Sequence, residues 1–185
     1  MAPIWLFFST LNSIINLITA SPKRHSELQS TQVTDIAHML DIGERETGRG
    51  ANQIGPLHKP RDTRWVSHYD SISDLIDMYN ASCLVVETLM KDGGTNSILR
   101  EATGTFKAMT SFEFIFFVHL LEKMMGVTDG LCLALQNKSQ DILTAMNLVR
   151  NTKDVLKKLS LDGWDIFFEE VESFCKKHDR YECQI

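Results

Sequence analysis

The stretch FEFIFFVHLLEKMMGV (112–127) constrains this chain more than any other part of it. It is too apolar to sit in water. Glu113, His119, Glu122 and Lys123 cut it well short of the ~20 residues that a bilayer span needs. Such a segment is a helix that other helices must bury, and the rest of the sequence supplies them. Apolar residues recur every three to four positions through most of the chain, the spacing of one helix face.

The first helix is predicted over 4–20, where Phe7, Phe8, Leu11, Ile14, Ile15 and Ile18 share a face and Asn12 and Asn16 lie on another. No Lys or Arg precedes this apolar region and polar residues interrupt it, so it reads as a core helix rather than a signal peptide. Ser21-Pro22 breaks the chain and starts a helix over 22–42 with Leu28, Gln32, Ile36, Met39 and Leu40 on one side. Residues 43–62 hold four glycines, two prolines and scattered charges, and read as a loop. Thr63–Ser67 is β-prone, which allows one short strand near 62–67.

A single long helix is predicted from Ser67 to Lys91, ended by Gly93-Gly94, with Ile72, Leu75, Ile76, Tyr79, Cys83, Val86 and Met90 inward. Shorter patterns predict helices over 95–108, over 112–135 capped by Thr110 or Ser111, over 138–159 and over 163–178. In the 138–159 helix, Ile142, Ala145, Met146, Val149, Leu156 and Leu159 line up as a core face. In the last, Trp164, Phe167, Phe168, Val171, Phe174 and Cys175 form the stripe, with Asp162 and Asp165 at the start and Lys176 and Lys177 at the end matching the helix dipole. The expected fold is all-α, an array of about seven helices. Its organisation is two N-terminal helices over 1–42, a loop over 43–62, and a helical domain over 63–185.

Few residues carry a chemical signature. With 24 acidic against 19 basic side chains, bulk charge does not make this a nucleic-acid-binding surface. Cysteines 83, 132, 175 and 183 are too sparse for a disulfide scaffold, and the first three sit in apolar helical patterns. No nucleophile elbow and no phosphate-binding glycine pattern is present. None of the six histidines forms a metal-ligand pair on one helix turn, and His119 reads as a satisfied core histidine. Cys175, His178 and Cys183 give C-x2-H-x4-C, three zinc ligands without a fourth, and Cys175 is already part of a core stripe. Asp35 with Asp41, and Glu44 with Glu46, read as solvated surface charge. The pair Arg64-Trp65 is more specific. A Trp beside Arg, reached by a loop bearing Lys59 and Arg61, suits base stacking and phosphate contact. The same Trp65 also suits an anchor that pins the loop to the core.

Four stretches taken together are distinctive: FFSTLNSIINLITASPKRHSELQ (7–29), IAHMLDIGERETGRGANQIGPLHKPRDTRWVSHYDSISDLIDMYNA (36–81), TSFEFIFFVHLLEKMMGVTDGLCLALQNKSQDILTAMNLV (110–149) and LDGWDIFFEEVESFCKKH (161–178). The chain resembles, from about residue 7 to 178, the middle of plant proteins related to hAT-family transposases, the group labelled zinc finger MYM-type protein 1-like or TTF-type zinc finger proteins. The D-T-R-W-x-S-H run (62–68) and the K-S-Q-D-I-L-x-A-M run (138–146) are its most specific parts.

The resemblance implies a helical insertion region from an RNase H-like catalytic domain, without the sheet, the zinc finger or the dimerisation segment. It assigns none of the family's three metal-holding acidic residues to this chain, which implies an inactive protein with neither cofactor nor small-molecule substrate. Arg64 and Trp65 match the family's RW motif, whose Trp is associated with a flipped base or hairpin end. Lys59, Arg61, Arg64 and Trp65 are therefore the expected nucleic-acid-binding residues, DNA or a related full-length chain the expected partner, and the nucleus the expected location. Without the sheet, the apolar faces of helices 4–20 and 22–42 are expected to be exposed or repacked, which favours self-association. A free-standing helical interaction module without a DNA role is the alternative. A nuclease built on Asp35 or Asp41 is a more distant one.

Overall fold

The computed structural model describes residues 2–43, 55–60, 65–92, 95–136 and 141–178. Among these residues the fold is all-α, with eight helices and no strand: α1 (Ala2–Thr19), α2 (Pro22–Asp41), α3 (Trp65–Asp77), α4 (Tyr79–Lys91), α5 (Asn96–Met109), α6 (Phe112–Leu135), α7 (Ile142–Asp162) and α8 (Trp164–Lys177). No single helix among the described residues is long and apolar enough to cross a membrane.

The helix starts follow local chemistry. Ser21 is extended (φ −131°, ψ 131°) ahead of Pro22, and the chain turns by 98° between α1 and α2. The hydroxyl of Ser111 accepts the Phe114 N–H at 3.3 Å and caps α6; Thr95 and Asp141 cap α5 and α7 in the same way.

The apolar 112–127 stretch forms most of α6, the central helix, which packs against α1, α3, α5, α7 and α8. Phe114, Ile115, Val118, Leu121 and Met125 are its buried face. The apolar face of α1 is buried in this helical core, while Ile4, Trp5 and Leu6 at its start are exposed. Its Leu11, Ile14, Ile15 and Ile18 have no exposed surface, each worth about 1.5–3 kcal/mol relative to full exposure. Leu28, Gln32 and Ile36 of α2 are buried as the pattern requires, while Met39 and Leu40 are half-buried.

The short strand allowed near 62–67 is not used where the structure describes it: Trp65–Ser67 is the first turn of α3, and 62–64 lie outside the described residues. Four expectations are corrected, the first being that the helix expected over 138–159 starts only at Ile142, with Asp141 extended (φ −80°, ψ 156°) ahead of it. The single helix over 67–91 is two, which raises the count from seven to eight. Met78 (φ −108°, ψ 18°) separates α3, which packs on α6, from α4, which packs on α2 and α5. Each half follows its own neighbour, and no proline or glycine marks the break. Asp162 ends α7 instead of starting α8, so only Asp165 complements the α8 N-terminus.

The fourth correction concerns α7, which has no buried residue. Ala145, Val149, Leu156 and Leu159 are half-buried against the bundle, but Ile142, Leu143 and Met146 are 78%, 74% and 58% exposed. In α8, Phe167, Val171 and Cys175 are buried, whereas Trp164 and Phe168 of the same predicted stripe are exposed.

Two glycines set close approaches. A Cβ on Gly126 of α6 would lie 3.2 Å from the Tyr69 hydroxyl oxygen of α3. One on Gly163, the corner between α7 and α8, would lie 2.9 Å from the Leu159 carbonyl oxygen. Gly163 has φ −92°, so space and not backbone handedness requires glycine there.

Candidate functional site

Of the four expected nucleic-acid-binding residues, only Lys59 is placed with its side chain. Arg61 and Arg64 lie outside the described residues, as does the side chain of Trp65, whose backbone begins α3. The residues leading to them are well fixed. Leu57, the one large apolar side chain of the 55–60 segment, is 4% exposed in the main core. Asp74 of α3 accepts the His58 backbone N–H at 2.9 Å, and the same oxygen lies 2.7 Å from the ring Nδ1. The Ser67 hydroxyl donates to the Lys59 carbonyl at 3.5 Å. Lys59 thus stands exposed beside the first turn of α3. Among the described residues, Leu57 and His58 anchor this segment. A lone Leu between Pro56 and His58 was the available signal for this, but periodicity cannot be read from one residue.

The other residues singled out in the sequence are dispersed. Asp35 accepts the Asn80 side-chain N–H at 2.8 Å, Asp41 is exposed, and Glu44 and Glu46 lie outside the described residues. Cys175 is buried, His178 packs its ring 4.5 Å from that of Phe174 and 5.5 Å from that of Tyr79, and Cys183 lies outside the described residues. Among the described residues no three His, Cys, Asp or Glu side chains are grouped as a metal site.

His119 differs from the satisfied core histidine that the sequence suggested. Its Nε2 is buried with no hydrogen-bond partner among the described residues, and its ring sits 4.5 Å from that of Phe174, edge to face. Burial pulls its pKa down to about 4; Glu170 opposes this, and Lys123 and His178 add to it. Burial also raises the Tyr69 phenol and the Glu122 carboxyl, with neighbouring acidic groups adding to both and Lys123 opposing the rise at Glu122.

Besides the exposed Ile4, Trp5 and Leu6 at the start of α1 and an open cleft of about 460 Å³ bordered by His119, Ile166 and Phe174, two concave or apolar features bear on function. An open cleft of about 810 Å³ lies between α2, the α3–α4 junction and the end of α8, walled by Ile36, Met39, Ile76 and Phe174. In its polar wall, which also carries His38, Asp77, Lys177 and His178, Asp35 accepts from Asn80 and the buried Gln32 Oε1 has no partner among the described residues. The second is the exposed face of α7 and α8. Ile142, Leu143, Met146 and Leu161 of α7 and Ile166 of α8 project from it, and an apolar cavity of about 190 Å³ opens beside it between α6, α7 and α8, lined by Met124, Leu156 and Trp164. Exposed apolar side chains on one helix pair, beside a cavity of the same character, are what a protein docking surface requires.

No family model matches this chain, and no solved structure matches it.

Proposed function

We propose that this chain is a catalytically inactive, hAT-transposase-like helical protein that works by binding another protein through α7 and α8. The observation that carries this reading is α7 itself. A 21-residue helix with no buried residue presents Ile142, Leu143 and Met146 to solvent, at a cost that a docked partner would remove. The family assignment rests on the sequence runs 62–68 and 138–146, and a nuclear location follows from it. The test is site-specific photo-crosslinking in the cells that make the protein. Met146→p-benzoylphenylalanine should yield a protein adduct that Glu101→p-benzoylphenylalanine, on the exposed surface of α5, does not. Absence of any adduct specific to position 146 overturns the reading.

A second reading, DNA binding at Lys59, Arg61, Arg64 and Trp65, has one structural observation in its favour: Lys59 is exposed and its backbone is held at the start of α3 by Leu57, His58 and Ser67. Phosphate contacts predict hairpin-DNA binding that weakens with salt, and base stacking predicts a loss of about 1–3 kcal/mol on Trp65→Ala. Fluorescence anisotropy on a labelled hairpin measures both. Unchanged affinity in the Trp65→Ala protein removes this role.

A further inference from the structure

We infer that the occupant of the α7–α8 face is a second copy of this chain, with α7 of each protomer lying against α8 of its partner about a two-fold axis. The inference rests on the reading of that face as a docking surface and names what docks there.

Charge is the first argument. Along α7 the basic residues Arg150, Lys153, Lys157 and Lys158 outnumber Asp154 and Asp162; along α8 the acidic residues Asp165, Glu169, Glu170 and Glu172 outnumber Lys176 and Lys177. Successive residues turn by about 100° around a helix, which puts Met146, Arg150, Lys153, Lys157 and Leu161 on one stripe of α7. All five are exposed. On α8, Asp165 and Glu169 share the outward side, both exposed, with Ile166 at its edge. Glu170 and Glu172 are held by Lys123 and Lys176 of the same chain, whereas Lys153, Lys157, Asp165 and Glu169 make no ion pair among the described residues. A two-fold interface must be complementary to itself, and a basic stripe joined through Gly163 to an acidic one meets that condition when α7 faces α8.

Area is the second argument. At 1.5 Å per residue, each α7–α8 contact is as long as the shorter helix, about 21 Å, and about 10 Å wide, so the two contacts bury about 400 Å² on each copy. The two copies together bury about 800 Å², the size of a weak, transient interface, so the dimer should form only at high protein concentration.

Sedimentation velocity on the full chain, from about 1 to 200 μM, tests the pairing. The mass should rise with concentration from 21.1 kDa towards twice that value. Lys153→Glu with Lys157→Glu should hold the protein monomeric, and so should Asp165→Lys with Glu169→Lys. An equimolar mixture of these two variants restores both α7–α8 contacts and should recover the dimer. That rescue also shows that each variant is folded, which circular dichroism and melting check independently. A wild-type chain that stays at 21.1 kDa throughout overturns the inference, as does a dimer indifferent to both charge reversals. A monomeric chain that still forms a Met146-specific adduct with a different protein overturns the second copy as occupant and leaves the docking reading standing.

Discussion

His119 should make this fold sensitive to mild acid, and the effect can be calculated. In the unfolded chain its imidazole titrates near 6.5; in the folded protein burial holds it at about 4. Its folded pKa is the lower one, so the unfolded state binds the proton first and stability falls as pH drops from about 6.5 towards 4. Integrating the proton linkage for these two values gives a loss of about 2 kcal/mol between pH 7.5 and pH 5. The groups facing the ring set the sign. The Phe174 ring covers the imidazole edge to face where it borders a cleft walled by Ile166, Glu169, Ser173 and Lys177, and the attraction of Glu170 is offset by its ion pair with Lys123 and by His178.

Urea unfolding of the wild type and of His119→Phe at both pH values isolates this contribution, because all other titrating groups are common to the two proteins. Glu122, raised by burial, works in the opposite direction, since it favours the folded state at low pH and loses that contribution as pH rises. The wild type should lose about 2 kcal/mol more than His119→Phe on going to pH 5. Parallel losses in the two proteins would refute the argument, since the ring would then be solvated enough to take its proton in the folded state.

Three further outcomes test the packing. The Tyr79 hydroxyl donates to the buried Met109 carbonyl at 2.7 Å, so Tyr79→Phe leaves an orphaned acceptor at the end of α5 and should cost about 1–3 kcal/mol in chemical denaturation. Gly163→Ala forces a Cβ against the Leu159 backbone and should cost about 1–3 kcal/mol, whereas Gly104→Ala, in open space on α5, should stabilise by about 0.5–1 kcal/mol; thermal melting reads both. Asp74→Ala removes both contacts to His58, so amide exchange at His58 should accelerate while global stability falls by only about 0.5–1.5 kcal/mol.

The sequence alone settled the helical class and most of the helix ends. Spacing at three and four residues states which positions share a face, and Ser21-Pro22 and Ser111 carry their start signals in their own side chains, whereas the spacing passes over the Asp141 cap and starts that helix at 138. The buried faces of α1, α2 and α4 followed from the same spacing, because each is surrounded by enough neighbours to bury what it offers.

Tertiary structure decided what depends on which helix meets which. The Met78 break arises because α3 and α4 answer to different partners, and nothing in Asp77-Met78-Tyr79 announces it. In α7 the spacing was read as one core face, whereas Ala145, Val149, Leu156 and Leu159 pack half-buried on the bundle and Ile142 and Met146 face solvent. Amphipathicity says that a helix has something to bury, and only the fold shows whether the chain itself buries it. Leu57 and His58 became anchors through contacts with distant residues, which no local pattern encodes. The candidate docking surface was hidden for the same physical reason: exposure belongs to the assembled fold, and the residues that form it look, one helix at a time, like any other core.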